Sequence, residues 1–153
     1  MKNKIKLITY LFLALLFLNN CGYQALYSAK GQKFSFGDIE ISGEKKLKKY
    51  FEAQLNRFQN DESNKFDLVV NVDISKNTVS KDKKGNPSIF SLSISAKIDF
   101  FEKNILIKSN TFFESSSYNN QENKFDLKQF EKRLERKLLD KIVDDIIIYT
   151  QKI

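Results

Sequence analysis

The pattern of apolar residues predicts an α+β fold in which two helices cover one face of a mostly antiparallel four-stranded sheet, in the order β-α-β-β-β-α. Three observations carry this. Phe66, Leu68, Val70, Val72 and Ile74 hold every even position of one segment, and Phe90, Leu92, Ile94, Ala96, Ile98 and Phe100 repeat the pattern. Period two over such lengths means strands with one buried and one wet face. Phe130, Leu134, Leu138, Ile142, Ile146 and Tyr149 recur at steps of four and three, the stripe of a long amphipathic helix. Leu47, Phe51, Leu55 and Phe58 make a shorter stripe of the same kind.

In chain order, Lys33 to Ser42 alternates Phe34 and Phe36, then Ile39 and Ile41. Gly37 and Asp38 sit where the phase changes, so the segment reads as a strand with a bulge or kink at Gly37. Glu44 to Phe58 is the first helix, with Lys45, Lys46, Lys48 and Lys49 mostly off its apolar face as a solvated basic side. Asn60 to Lys65 is a polar break. Phe66 to Ile74 is the second strand, its wet face carrying Asp67, Asn71, Asp73 and Ser75. Thr78 to Ser88 reads as a long, polar, basic loop containing Lys81, Asp82, Lys83, Lys84, Gly85, Asn86 and Pro87.

The third strand, Phe90 to Phe100, shows Ser91, Ser93, Ser95, Lys97 and Asp99 on its opposite face. Glu102-Lys103-Asn104 turns the chain, and Ile105 to Phe113 returns as the fourth strand of a hairpin. Ser115 to Lys124 reads as a polar loop. The second helix is expected to begin at Asp126, whose spacing to Gln129 suits a capping box. Glu131, Lys132, Glu135, Arg136 and Lys141 face away from its apolar stripe, and its C-terminal part is expected to be the more deeply buried. No internal repeat is present.

Ahead of this domain lie Lys2, Lys4 and Lys6, then an apolar run from Leu7 to Leu18 broken only by Thr9. That run has the length of an export-signal core and is too short to span a bilayer as a helix. It ends in Leu18-Asn19-Asn20-Cys21-Gly22, and Cys21 is the only cysteine. A leucine three residues before such a cysteine resembles the lipobox of bacterial lipoproteins, in which the cysteine is acylated and becomes the first mature residue. Asn20 stands where lipoboxes usually carry Gly, Ala or Ser. The other reading is an ordinary secretory signal followed by a free cysteine, or an uncleaved anchor. A lone exported thiol without a disulfide partner favours modification. One acyl chain, at about 0.8 kcal/mol per buried methylene, binds membrane marginally, and two or more hold stably.

The chain thus divides into a signal at 1–20, a lipidated N-terminus and tether at 21–32, and one α+β periplasmic domain at 33–153. Losing Met1 to Asn20 removes three lysines and no acids, which lowers the formal charge from +7 to +4. That suits a phosphate-bearing partner or an anionic membrane surface and falls short of a nucleic-acid binder's basic footprint. Fourteen Phe and six Tyr supply bulk for a core.

There is no histidine, and the single cysteine is committed to the anchor. Neither a Cys/His metal site nor a Ser-His-Asp or Cys-His set can therefore be assembled, and no Gly-rich phosphate loop occurs. Asp144-Asp145 reads as part of a solvated helix face rather than as an acid–base pair. The expectation is a protein that is not an enzyme, needs no metal and carries no cofactor apart from covalent lipid on Cys21.

The signal, then Cys21-Gly22-Tyr23-Gln24-Ala25-Leu26-Tyr27, then strand–helix–three strands–helix, resembles the LptE family of lipopolysaccharide-assembly lipoproteins. The residues that match are Cys21, Gly22, Tyr23, Leu26 and Tyr27, with Ala25 where the family usually has Pro. The resemblance implies a lipid-anchored, periplasm-facing protein of the outer membrane. It would plug an LptD-type outer-membrane β-barrel, assist its assembly and help deliver lipopolysaccharide to the cell surface. Tyr23, Leu26 and Tyr27 would either seat the anchor at the membrane interface or pack on the first strand.

A plug needs a polar surface to meet a polar lumen, and the serines from Ser91 to Ser95 suit that, as they also suit water. Lys81, Lys83 and Lys84 are the candidates for binding lipopolysaccharide phosphates through charge-assisted hydrogen bonds. The plainer reading is a solvated loop that needs lysine for solubility. The alternative function is a free-standing periplasmic lipoprotein that carries a lipid or peptide in its own cavity.

Overall fold

A right order of strands follows from how each pair is joined. The structure, a computed structural model, describes residues 34–59 and 65–153. It runs through β1 (Ser35–Gly43), α1 (Lys45–Leu55), a 3-10 turn (Asn56–Phe58), β2 (Lys65–Lys81), β3 (Pro87–Glu102), β4 (Ile105–Asn119) and α2 (Lys124–Thr150). The sheet order is β1-β2-β3-β4. The β2–β3 and β3–β4 pairs are antiparallel hairpins, while β1 lies parallel to β2. A parallel neighbour requires a crossover, and α1 supplies it. The α+β sandwich read from the sequence is therefore the observed fold, with one parallel pair in a mostly antiparallel sheet.

The register puts the alternating apolar residues on one face. Val70 opposes Ile98 and Val72 opposes Ala96 across β2 and β3, and Phe112 opposes Ala96 from β4. These residues are buried with Ile94 and Phe100 under Ile142, Ile146 and Ile147 of α2. Leu47, Phe51 and Leu55 of α1 complete the same core against Phe36 and Ile41 of β1. Full burial of such a side chain contributes about 1.5–3 kcal/mol, so this layer outweighs the surface ion pairs, at about 0–1 kcal/mol each. Tyr149 fills the gap between Phe100 and Phe112, with ring centroids 5.7 and 5.6 Å away. Burial in α2 concentrates from Leu138 onward, as the apolar stripe predicted.

The register of β1 shifts between Phe36 and Ile39, the irregularity expected at Gly37. A Cβ at Gly37 would stand 2.2 Å from Asp67 Oδ1, the same oxygen that accepts from the Asp38 amide at 2.9 Å. Glycine lets the bulge close onto that carboxylate. Gly43 ends β1 with φ +125°, and a Cβ there would meet the Val72 carbonyl oxygen at 2.2 Å.

Three expectations are corrected. The segment from Thr78 to Ser88 is not a long loop: β2 continues to Lys81 and β3 starts at Pro87. Ser115 to Asn119 is strand rather than loop, because β3 extends far enough to pair Ser115 with Ser93 and Ser117 with Ser91. The second helix begins at Lys124, and Asn123, not Asp126, caps it. The Asn123 Oδ1 accepts from the amides of Phe125 and Asp126 at 2.9 and 3.4 Å. Much of the Asn60–Lys65 break, and all of the segments at 1–20 and 21–32 including Cys21, lie outside the described residues.

Candidate functional site: the hairpin tip and the serine face

Lys81, Lys83 and Lys84 are brought together at the tip of the β2–β3 hairpin. Lys81 is the last residue of β2 and pairs with Pro87, leaving 82–86 as a tight turn. The turn is organised by Asp82. Its Oδ1 accepts from the backbone amides of Lys84 at 2.8 Å and Asn86 at 2.9 Å, and its Oδ2 from the Asn86 side chain at 3.3 Å. Its own amide donates to the Asn86 carbonyl, and its carbonyl accepts from the Gly85 amide. Gly85 has φ +85°, the left-handed conformation the reversal needs.

The backbone hydrogen bond from Asn86, with further donors from Asn86, Lys84 and Gly85, holds the Asp82 carboxyl below its ordinary range. The one acid of the tip is thereby turned onto the backbone. All three lysines are exposed, and among the described residues none has a carboxylate partner.

The base of the tip is fixed from both sides. Asn120, just past β4, donates its amide to the Ser88 carbonyl and its side chain to the Pro87 carbonyl, both at 2.8 Å. Lys76 lies over the Phe90 ring at 4.2 Å and reaches Glu131 of α2 at 2.6 Å. The tip is thus a short, braced projection carrying three free ammonium groups. Such groups can donate charge-assisted hydrogen bonds to phosphate oxygens.

The sheet face turned away from the helices is the second feature. Ser75, Ser93 and Ser115 form one cross-strand row, and Asn77, Ser91 and Ser117 the next. The Ser75 and Ser93 hydroxyls lie 2.8 Å apart. The face is therefore broader than the Ser91–Ser95 run alone, since the extension of β4 adds Ser115 and Ser117. The signal missed in the sequence was their own alternation with Ser116 and Tyr118, hidden by the run of three serines.

Asp144 and Asp145 are exposed on α2. Burial first, then the neighbouring Asp140 and Asp145 carboxylates, raise Asp144 above its usual range. Among the described residues no helix is long and apolar enough to cross a membrane, and no cluster of three His, Cys, Asp or Glu side chains can hold a metal.

No family model matches the chain, and no curated protein matches its sequence. Solved structures do match its fold. A minor lipoprotein from Acinetobacter baumannii superposes with a TM-score of 0.60 at 15% identity, covering 78% of this chain and 91% of that one. Lipoprotein B from Nitrosomonas europaea gives 0.58 at 14% identity, over 76% and 84%. Rare lipoprotein B from Shewanella oneidensis gives 0.54 at 14% identity, over 77% and 94%. The two-helix, four-strand sandwich is an architecture this chain shares with bacterial lipoproteins.

Proposed function

We propose that the protein is a lipid-anchored subunit of the outer membrane that plugs an LptD-type β-barrel and helps it assemble and deliver lipopolysaccharide. The observation that carries this reading is the shared fold. A sandwich found in three bacterial lipoproteins follows, in this sequence, a segment at 1–20 that reads as an export signal and leads into Cys21. The anchor would be covalent lipid on Cys21. The serine rows suit close apposition to a polar barrel wall, because small hydroxyls donate and accept without projecting far. The three tip lysines, with Asp82 folded onto the backbone, suit the phosphates of lipopolysaccharide.

The alternative is a carrier that encloses a lipid or peptide; two of the surface clefts measure about 290 Å³ each, near the lower end of the ~300–1,000 Å³ typical of ligand pockets.

The test is a mild-detergent pull-down of the tagged full-length protein from its native membrane, with mass spectrometry of what is retained. Recovery of a stoichiometric large β-barrel, with acylated Cys21 as the mature N-terminus, is the expected result. Recovery of the lipoprotein alone after cross-linking overturns the plug reading. Neutralising Lys81, Lys83 and Lys84 together should weaken lipopolysaccharide binding and leave folding intact; unchanged binding would remove the tip from the proposal.

A further inference from the structure

We propose that the cleft between α1 and α2 is a binding site for a phosphate group. Lys46, Lys49 and Tyr50 of α1 face Lys132, Glu135 and Arg136 of α2 across a space of about 290 Å³. The spacing on each helix is that of one turn, so each set lies on a single stripe, and packing the helices together brings the two stripes face to face. Four cations against one carboxylate leave three positive charges in excess. The carboxylate is already committed: Glu135 holds Lys46 at 2.6 Å. Lys49, Lys132 and Arg136 have no ion-pair partner among the described residues.

Like charges placed opposite each other are costly unless an anion joins them, and a doubly charged phosphate is the anion that best matches three unpaired donors. Arg136 brings a planar fork that suits two phosphate oxygens, while the lysines act as point charges. Buried Leu139 lines the cleft from α2, and the half-buried Tyr50 ring lines it from α1. Leu139 and the Tyr50 ring thus give the cleft one apolar side, beside the exposed Lys49, Lys132 and Arg136. The Tyr50 hydroxyl donates to Asp140 of α2 at the edge of the cleft. At about 290 Å³ the cleft has room for a hydrated phosphate group. The source is either free phosphate or a lipid phosphomonoester. The site uses none of the hairpin-tip lysines and does not depend on the barrel reading.

The experiment is an NMR titration of the full-length protein in neutral detergent, once with inorganic phosphate and once with phosphatidic acid in mixed micelles. Saturable shifts at Lys49 and Arg136 are expected with at least one probe. A response to both marks recognition of the phosphate itself, and a response to micelles alone marks a lipid headgroup; either supports the site. The double variant Lys49→Gln/Arg136→Gln should weaken binding roughly 10-fold or more, as loss of charged hydrogen bonds implies. The charge-matched Lys103→Gln/Lys108→Gln should stay within about twofold, and a denaturation midpoint for each confirms folding. No saturable shift with either probe, or equal loss in both double variants, overturns the proposal.

Discussion

Tyr118 of β4 donates its hydroxyl to Glu131 of α2 at 2.7 Å, and the same carboxylate oxygen takes Lys76 of β2 at 2.6 Å. One helix residue thus ties together two strands that are not neighbours in the sheet. Burial alone would raise the Glu131 carboxyl; the bonds from Lys76 and Tyr118 outweigh it and hold the group below its ordinary range. Burial and the Glu131 bond likewise push the Tyr118 hydroxyl far above its usual range.

Replacing the carboxylate should therefore destabilise the chain in a pH-dependent way. Glu131→Gln is expected to lose about 1–2 kcal/mol at pH 7, the low end for hydrogen bonds to a charged group because the site is partly exposed. A carboxylate depressed in the folded state contributes fully above the unfolded pKa of about 4.3 and loses that contribution as pH falls through its folded value. Urea midpoints of the variant and the parent should differ at pH 7 and converge as pH falls below the depressed Glu131 carboxyl. Equal midpoints at pH 7 would show that the three-way contact carries no weight.

This junction also shows what the sequence conceals. The partners of Glu131 come from positions 76 and 118, and nothing local to residue 131 points to either. The strand and helix faces were legible because burial repeats with a fixed period, as in Leu68, Val70 and Val72. The extents of the strands were not. Thr78 to Lys81 and Ser115 to Asn119 carry a single apolar or aromatic residue each, Val79 and Tyr118, too few for alternation to stand out, and the cross-strand register makes them strand. The parallel placement of β1 is likewise a property of the crossover. The tip lysines could be grouped from their spacing, but the turn that folds Asp82 onto the backbone, and the meeting of Lys49 with Arg136, required the tertiary fold.

The core layer makes a second prediction. Ile146 is fully buried between α2 and the sheet. Ile146→Ala should cost about 2–5 kcal/mol, the lost transfer energy plus the cavity left behind. An equivalent truncation at Leu134, which is only partly buried, should cost distinctly less. Thermal or urea unfolding compares the two, and equal losses would contradict the placement of the helix stripe.

The β3–β4 turn makes a third. Glu102 opposes Ile105, so Lys103 and Asn104 form a two-residue loop, with φ of 50° and 66°. Positive φ at both positions is the requirement of a type I′ turn, which Asn-Gly meets with least strain. Lys103→Asn/Asn104→Gly is expected to stabilise the protein by about 0.5–1 kcal/mol, the relief of two left-handed residues less the entropy added by glycine. A lowered midpoint would mean the hairpin depends on the Lys103 side chain rather than on its backbone.

Asp82 separates two ways in which the hairpin tip can act. Removing its carboxylate makes the tip more positive, yet it also frees the amides of Lys84 and Asn86. If the tip worked as diffuse charge, Asp82→Ala would bind lipopolysaccharide more tightly. If it works as an arranged set of donors, the variant should bind more weakly despite the added charge, because ordering the loop then falls to the ligand. The second outcome is expected, together with faster amide exchange at Lys84 and Asn86 and an unchanged global unfolding midpoint. The same loosening should appear in the parent protein in acid. The depressed Asp82 carboxyl keeps the turn closed above its ordinary range and releases it only as pH falls through the lower folded value. Exchange that is as slow in the variant as in the parent would mean that Asp82 is not what holds the three lysines in place.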